Sequence, residues 1–212
     1  MKKVFVFDFD GTFYTGKDVF KWSPFYIETH RRKFLPNVSD NVYNEICEKY
    51  PDFIKAVSGR QLAIQVYKIK ADYPQYNIDM NSFVKVQQDY IYDICLANAH
   101  MVDREAIKNL CEKYPVYIVS NSSQNHLKHY MKVLDVDYSW FKGVYSNQFE
   151  QFDPTKQHYY QEIIEAEKIQ PNQLYVFGDS KNSDLEPAYN IGANAFLVED
   201  AHKIKIMIEE LN

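Results

Sequence analysis

Four aspartates stand where short apolar runs give way to turns. Val4-Phe5-Val6-Phe7 leads into Asp8-Phe9-Asp10-Gly11-Thr12. A second run, Val116-Tyr117-Ile118-Val119, leads into Ser120-Asn121-Ser122. A third, residues 174–177, leads into Gly178-Asp179-Ser180, with Asp184 a few residues further on. Any one aspartate after a strand reads first as a turn or helix-cap residue. The set is harder to read that way, because two of only 6 glycines flank these acidic ends. If Asp8, Asp10, Asp179 and Asp184 meet, their charges repel unless a cation neutralises them or a proton is shared. Oxygen-only ligands select a hard ion, Mg²⁺ above all, and that ion also bridges to phosphate.

A parallel sheet would bring them together. Residues 3–8 read as a buried strand. After residue 98, strands at 116–119, 143–146, 174–177 and 195–198 alternate with helical patterns at 123–134, 155–168, 183–191 and 201–211. Such alternation predicts a doubly wound, Rossmann-like α/β core whose ligands bind at the carboxyl ends of the strands. Between the first strand and the rest the pattern is helical. Ser23-Pro24 opens one helix. Ser39 caps a second, with Val42, Ile46 and Tyr50 on one face and Pro51 stopping it. Gly59 opens a third, with Leu62, Val66 and Ile69 on one face. Asp79 or Asn81 starts a fourth, carrying Phe83, Val86, Tyr90, Ile94 and Ala97. The expected organisation is a catalytic core of residues 1–15 and 99–212 with a helical cap, residues 16–98, inserted after the first strand.

Composition narrows the function classes. Of 212 residues, 46% are hydrophobic, including 18 tyrosines, and 25% are charged. These values exclude disordered, collagenous and coiled-coil chains. A net charge of −5 argues against a nucleic-acid partner bound through a basic surface. Cys47, Cys95 and Cys111 are too scattered for a disulfide framework or a zinc site, and read as buried, reduced thiols. The first apolar run ends at Asp8, too short for a signal peptide, and no run approaches the length of a membrane span. The expectation is a cytoplasmic protein with no membrane partner.

The ordered set Asp8-Phe9-Asp10-Gly11-Thr12, Ser120, Lys156 and Gly178-Asp179-Ser180-Lys181-Asn182-Ser183-Asp184 resembles the four motifs of the haloacid dehalogenase-like hydrolases. The likeness covers the core, and the helical block resembles that family's helical cap in position. It implies that Asp8 is a nucleophile forming an aspartyl-phosphate and that Asp10 is the general acid and then the base. Aspartate at position 10 favours phosphoryl chemistry over dehalogenation. The resemblance further implies that the Ser120 hydroxyl and the Asn121 backbone N–H hold phosphoryl oxygens, while Lys156 offsets their charge. Asp179 would ligate Mg²⁺ together with the Asp8 carboxylate and the Asp10 carbonyl. Asp184 would act on Lys156 or on a metal-bound water. Relatives often carry proline after the lysine, but here Gln157-His158 follow and Pro154 precedes. Taken alone, Lys156 reads as a solvated lysine in the first turn of a helix.

The activity so implied is Mg²⁺-dependent hydrolysis of a small phosphorylated metabolite. A phosphomutase of the β-phosphoglucomutase kind would use the same residues. A binding protein on the same scaffold is the reading from another class, and the intact Asp8, Asp10 and Asp179 argue against it. Within the cap, Arg60 is a candidate substrate contact or an exposed arginine. His30-Arg31-Arg32-Lys33 reads as a solvated face. Trp22, Phe25 and Tyr26 read as packing or as a stacking surface for a ring.

Overall fold

A computed structural model describes residues 2–16, 31–35, 37–56, 59–78, 99–146 and 156–211. Its strands are β1 (Val4–Phe7), β2 (Tyr14–Thr15), β3 (His100–Met101), β4 (Val116–Ser120), β5 (Gly143–Ser146), β6 (Leu174–Gly178) and β7 (Asn194–Leu197). Five of them form one parallel sheet in the order β5-β4-β1-β6-β7. β2 and β3 pair antiparallel in a separate two-stranded sheet. The helices are α1 (Asp40–Lys49), α2 (Pro51–Lys55), α3 (Gly59–Asp72), α4 (Arg104–Lys113), α5 (Gln124–Val133), α6 (Gln157–Glu167), α7 (Glu186–Asn190) and α8 (Ile204–Glu210). The chain divides into two compact units, Met1–Gly16 with Ala99–Asn212, and Lys17–Asn98.

β1 lies in the middle of the sheet because it is apolar on both faces. Its four residues are fully buried. Alternate side chains go to opposite faces. Val4 and Val6 join Tyr117, Val119, Leu174 and Val176 in a cluster covered by Tyr160 and Ile163 of α6 and Ala188 of α7. Phe5 and Phe7 face the other way. Phe7 stacks on Phe177 with ring centroids 4.8 Å apart, and Phe177 on Phe196 at 5.0 Å. Each ring so buried contributes about 1.5–3 kcal/mol. The α/β class and the helical insertion after the first strand stand as the sequence predicts.

Local details differ. α4 escapes the sequence reading, although Asp103 caps it by accepting from the Ala106 N–H at 3.0 Å, and Ile107 and Leu110 are buried. The helix expected at 183–191 is a wide π-type turn, Lys181–Leu185, followed by α7. The last helix begins with a tight 3₁₀ turn, Ala201–Lys203, before α8. Pro51 does not merely end α1; it opens α2 from the first-turn position that suits its missing N–H. In the basic run Lys33 is exposed, while Arg32 is half-exposed and also donates to the Leu35 and Val38 carbonyls and lies 5.0 Å over the Tyr43 ring. Leu62, Val66 and Ile69 are buried together on α3. Cys47 and Cys111 are free but only half-buried rather than buried. The helices expected to start at Ser23-Pro24 and at Asp79 or Asn81, with Trp22, Phe25, Tyr26 and Cys95, lie outside the described residues. Among the described residues no helix is long and apolar enough to cross a membrane.

At the end of α6, Glu167 is 3% exposed. It accepts from Lys142 at 2.7 Å, from Lys2 at 2.8 Å and from the Tyr117 hydroxyl. Burial alone would raise its pKa, but Lys142, Lys2 and Tyr117 together hold it down at about 2. A depressed native pKa stabilises the fold above the ordinary glutamate range, and that stability is lost as pH falls toward about 2. Glu167→Gln should therefore cost about 1–3 kcal/mol at pH 7, the scale for a buried group left badly paired. Urea melts at pH 7 and pH 3 check this, and the difference from wild type should shrink at pH 3.

Candidate active site

The sheet order makes β1 the strand from which the chain turns first one way and then the other. In such sheets the crevice opens at the carboxyl ends of the central strands. Asp8 follows β1 directly, and its N–H donates to the Phe177 carbonyl of β6 at 2.8 Å. Ser120 is the last residue of β4, and Asp179 follows Gly178, the last of β6. Asp184 sits in the π-type turn, with Oδ2 accepting the Ser180 N–H at 2.9 Å.

Two glycines permit this crowding. Gly11 has φ +84°, and a Cβ on it would lie 2.4 Å from Asp179 Oδ2. A Cβ on Gly178 would lie 2.5 Å from the Asp184 carboxylate. Both acids thus pack directly against backbone, and no other residue type fits either position without displacing one of them.

Lys156 is buried, at 2% exposed, which excludes the solvated lysine that the local sequence suggested. It stands at the start of α6, one turn before Tyr160, which is anchored in the core. Its Nζ lies 2.6 Å from Asp8 Oδ1 and 2.7 Å from Asp184 Oδ1. Burial disfavours its charge, but Asp8 and Asp184 outweigh that and raise its pKa. Asp184 therefore touches Lys156 directly.

Asp10 has its own set of partners. His126 Nε2 lies 2.8 Å from Oδ1, which also accepts from the Tyr14 hydroxyl. The Ser122 hydroxyl donates to Oδ2, and Ser120 Oγ is 3.5 Å from the same oxygen. Burial would raise the pKa of Asp10, but His126, Ser122 and Tyr14 pull it down to about 2. The sequence reading missed these three partners. A signal for His126 was present: Ser123 caps α5 and accepts from the His126 N–H, placing His126 in the first turn just beyond β4.

The remaining acids are short of positive charge. Oxygens of Asp8, Asp179 and Asp184 lie within 4.8 Å of one another. Desolvation of its carboxyl, which packs against the Gly11 backbone, and then Asp184 push Asp179 up to about 6, although the residue keeps an exposed side. Burial and the other three aspartates raise Asp8 against the pull of Lys156. An all-oxygen donor set with more negative charge than one lysine offsets fits a hard divalent cation. Thr12 Oγ1 and Asn121 Oδ1 are also buried without a hydrogen-bond partner. Buried polar atoms are normally paired, so these loops keep polar capacity in reserve. Arg60 stands at the start of α3 in the other unit, with its side chain outside the described residues.

The sequence matches the haloacid dehalogenase-like hydrolase family over residues 2–192. The chain belongs to that family. No curated protein matches it at a significant level. Solved structures share the fold. A predicted phosphoglycolate phosphatase from Haemophilus somnus is 15% identical, with a TM-score of 0.58 and 98% of each chain covered. A haloacid dehalogenase family enzyme from Bacteroides thetaiotaomicron, in complex with magnesium and inorganic phosphate, is 14% identical, with a TM-score of 0.53 over 95% of this chain and 96% of that one. A subfamily IA hydrolase of the same superfamily from Geobacter sulfurreducens is 17% identical, with a TM-score of 0.55 over 100% and 97%. The chain is thus a hydrolase of this family by sequence, and its fold is that of members carrying a helical insertion.

Proposed function

We propose that the protein is a Mg²⁺-dependent phosphatase that hydrolyses a small organic phosphate monoester through an aspartyl-phosphate on Asp8. The observation that carries this reading is the buried Lys156 ammonium, 2.6 Å from Asp8 and 2.7 Å from Asp184. It sets a fixed positive charge beside the carboxylate that would attack. Charge that spreads over the phosphoryl oxygens in the transition state would meet that ammonium in a dry site, where it counts most.

Asp8 is the nucleophile and splits one displacement into two. Asp10 protonates the leaving oxygen in the first step and activates water in the second. Held at about 2 by its partners, Asp10 rests in the base form, ready for the second step. Ser120 Oγ and the Asn121 N–H, just beyond β4, hold the transferring group. Asp184 fixes Lys156. Asp8, Asp179 and the Asp10 carbonyl would hold Mg²⁺, which would supply positive charge to offset the acids and the phosphoryl group. A related fold is a predicted phosphoglycolate phosphatase and another binds magnesium with inorganic phosphate, which supports the chemical class.

The test is phosphate release from sugar phosphates, nucleotides, phosphoglycolate and cofactor phosphates, with and without Mg²⁺. Release from some of these, abolished by a chelator, is expected. Weak release stimulated by a bisphosphate would mark a mutase, and no release from any would return the binding-protein reading.

Asp179 adds a check on the metal. Its raised pKa means that ionisation above about pH 6 strains the metal-free fold. Asp179→Asn without Mg²⁺ should therefore melt higher than wild type at pH 7.5, with a smaller gain at pH 4.5. Mg²⁺ should raise the melting temperature of wild type and not of the variant. Thermal melts at both pH values decide it, and equal Mg²⁺ stabilisation of both proteins would remove Asp179 from the metal site.

A further inference from the structure

We propose that His100, Asp200 and His202 form a second metal site, separate from the acidic cluster and suited to a divalent transition-metal ion such as Zn²⁺. One ligand atom from each residue lies within 4.8 Å of the others. His100 comes from β3, whereas Asp200 and His202 come from the turn after β7. His100 Nδ1 is 3.2 and 3.1 Å from the two Asp200 oxygens. The His100 and His202 rings stack with centroids 4.6 Å apart and planes 7° from parallel.

The backbone that carries them is fixed. Asp200 Oδ1 accepts the His202 N–H at 3.0 Å, closing the turn. The next N–H back, of Ala201, donates to Thr15 Oγ1 at 2.9 Å in a buried contact. Thr15 lies in β2 and pairs with His100 of β3. A single chain of hydrogen bonds therefore sets the height of both imidazoles and the carboxylate relative to one another.

The donors differ in kind from those of the acidic cluster. Two imidazole nitrogens and one carboxylate oxygen form a borderline set that favours Zn²⁺ or Co²⁺ over Mg²⁺. Four-coordinate zinc sites place nitrogen ligands ~2.0–2.1 Å from the metal and in the plane of each ring, so the two rings must rotate out of their parallel stack on binding. Their solvent-facing position permits that rotation and leaves room for water as the fourth ligand, with His100 55% and Asp200 29% exposed at the side chain. An ion held here would tie β3 to the turn after β7.

The probe is Zn²⁺ itself, titrated calorimetrically into the 212-residue chain after it has been stripped of metal and returned to excess Mg²⁺, with Co²⁺ absorption as a second readout. One Zn²⁺ per chain is expected. His100→Gln and His202→Ala should each weaken it at least tenfold, and Asp179→Asn should leave it unchanged. The visible bands of four-coordinate Co²⁺ should disappear in the same two histidine variants. Circular dichroism melts of both variants verify that they fold. Absence of Zn²⁺ binding, binding indifferent to both histidine substitutions, or binding lost with Asp179→Asn would each overturn the assignment.

Discussion

Asp8→Asn should abolish phosphate release while the protein stays folded. The amide keeps the shape of the carboxyl but cannot attack phosphorus. The site should tolerate it, because burial and three nearby aspartates already push Asp8 toward its uncharged form. Lys156 keeps Asp184 as a partner at 2.7 Å. The expected loss exceeds a thousandfold in single-turnover rate, with a melting temperature no lower than that of wild type. Turnover within about tenfold of wild type, a barrier change of only ~1.4 kcal/mol, would remove Asp8 from the nucleophile role.

Asp10→Asn should show a loss that depends on the leaving group. A sugar alkoxide leaves poorly without a proton, and general acid help is worth ~10²–10⁴-fold. The variant should therefore phosphorylate slowly from a sugar phosphate. Nitrophenolate leaves readily without one. With nitrophenyl phosphate the burst of leaving group should survive, and the phosphoenzyme should then hydrolyse slowly for want of a base. Single-turnover kinetics that follow leaving group and phosphate separately would resolve the two steps. The geometry gives this test an edge. His126, Tyr14 and Ser122 all favour the ionised carboxylate, so the base step has its group ready and the acid step needs a proton delivered first. Equal loss of the burst with both substrates would reduce Asp10 to a structural or metal-positioning residue.

Much of this was open to reading in the sequence, for physical reasons. Strand-end aspartates beside Gly11 and Gly178 are local patterns, and a parallel sheet must collect its strand ends on one side. The burial of Lys156 was not local. Nothing in Lys156-Gln157-His158 separates a solvated lysine from one set between two acids; the difference comes from Tyr160 and Ile163 anchoring α6 on the sheet. The partners of Asp10 were hidden for a similar reason. Tyr14 returns to it from four residues on, but Ser122 and His126 reach it only across the β1–β4 pair. The helix expected at 183–191 is there as α7, but its π-type first turn, Lys181–Leu185, follows no simple period and left no separate signal. β2 and β3 have two residues each, too few to leave a periodic signal.

Those two short strands carry a consequence for how such a chain can change over evolutionary time. The main chain leaves the core after Thr15 and re-enters it at His100, and these two residues are paired neighbours. Whatever lies between them is an insertion whose ends are already clamped together. The entropy of closing a loop grows only logarithmically, by ~0.6 kcal/mol for each doubling in length. Residues 17–98 could thus lengthen, shorten or be exchanged for an unrelated module at little cost to the sheet. Selection for a new specificity could act on that module while the aspartates and Lys156 stay where they are.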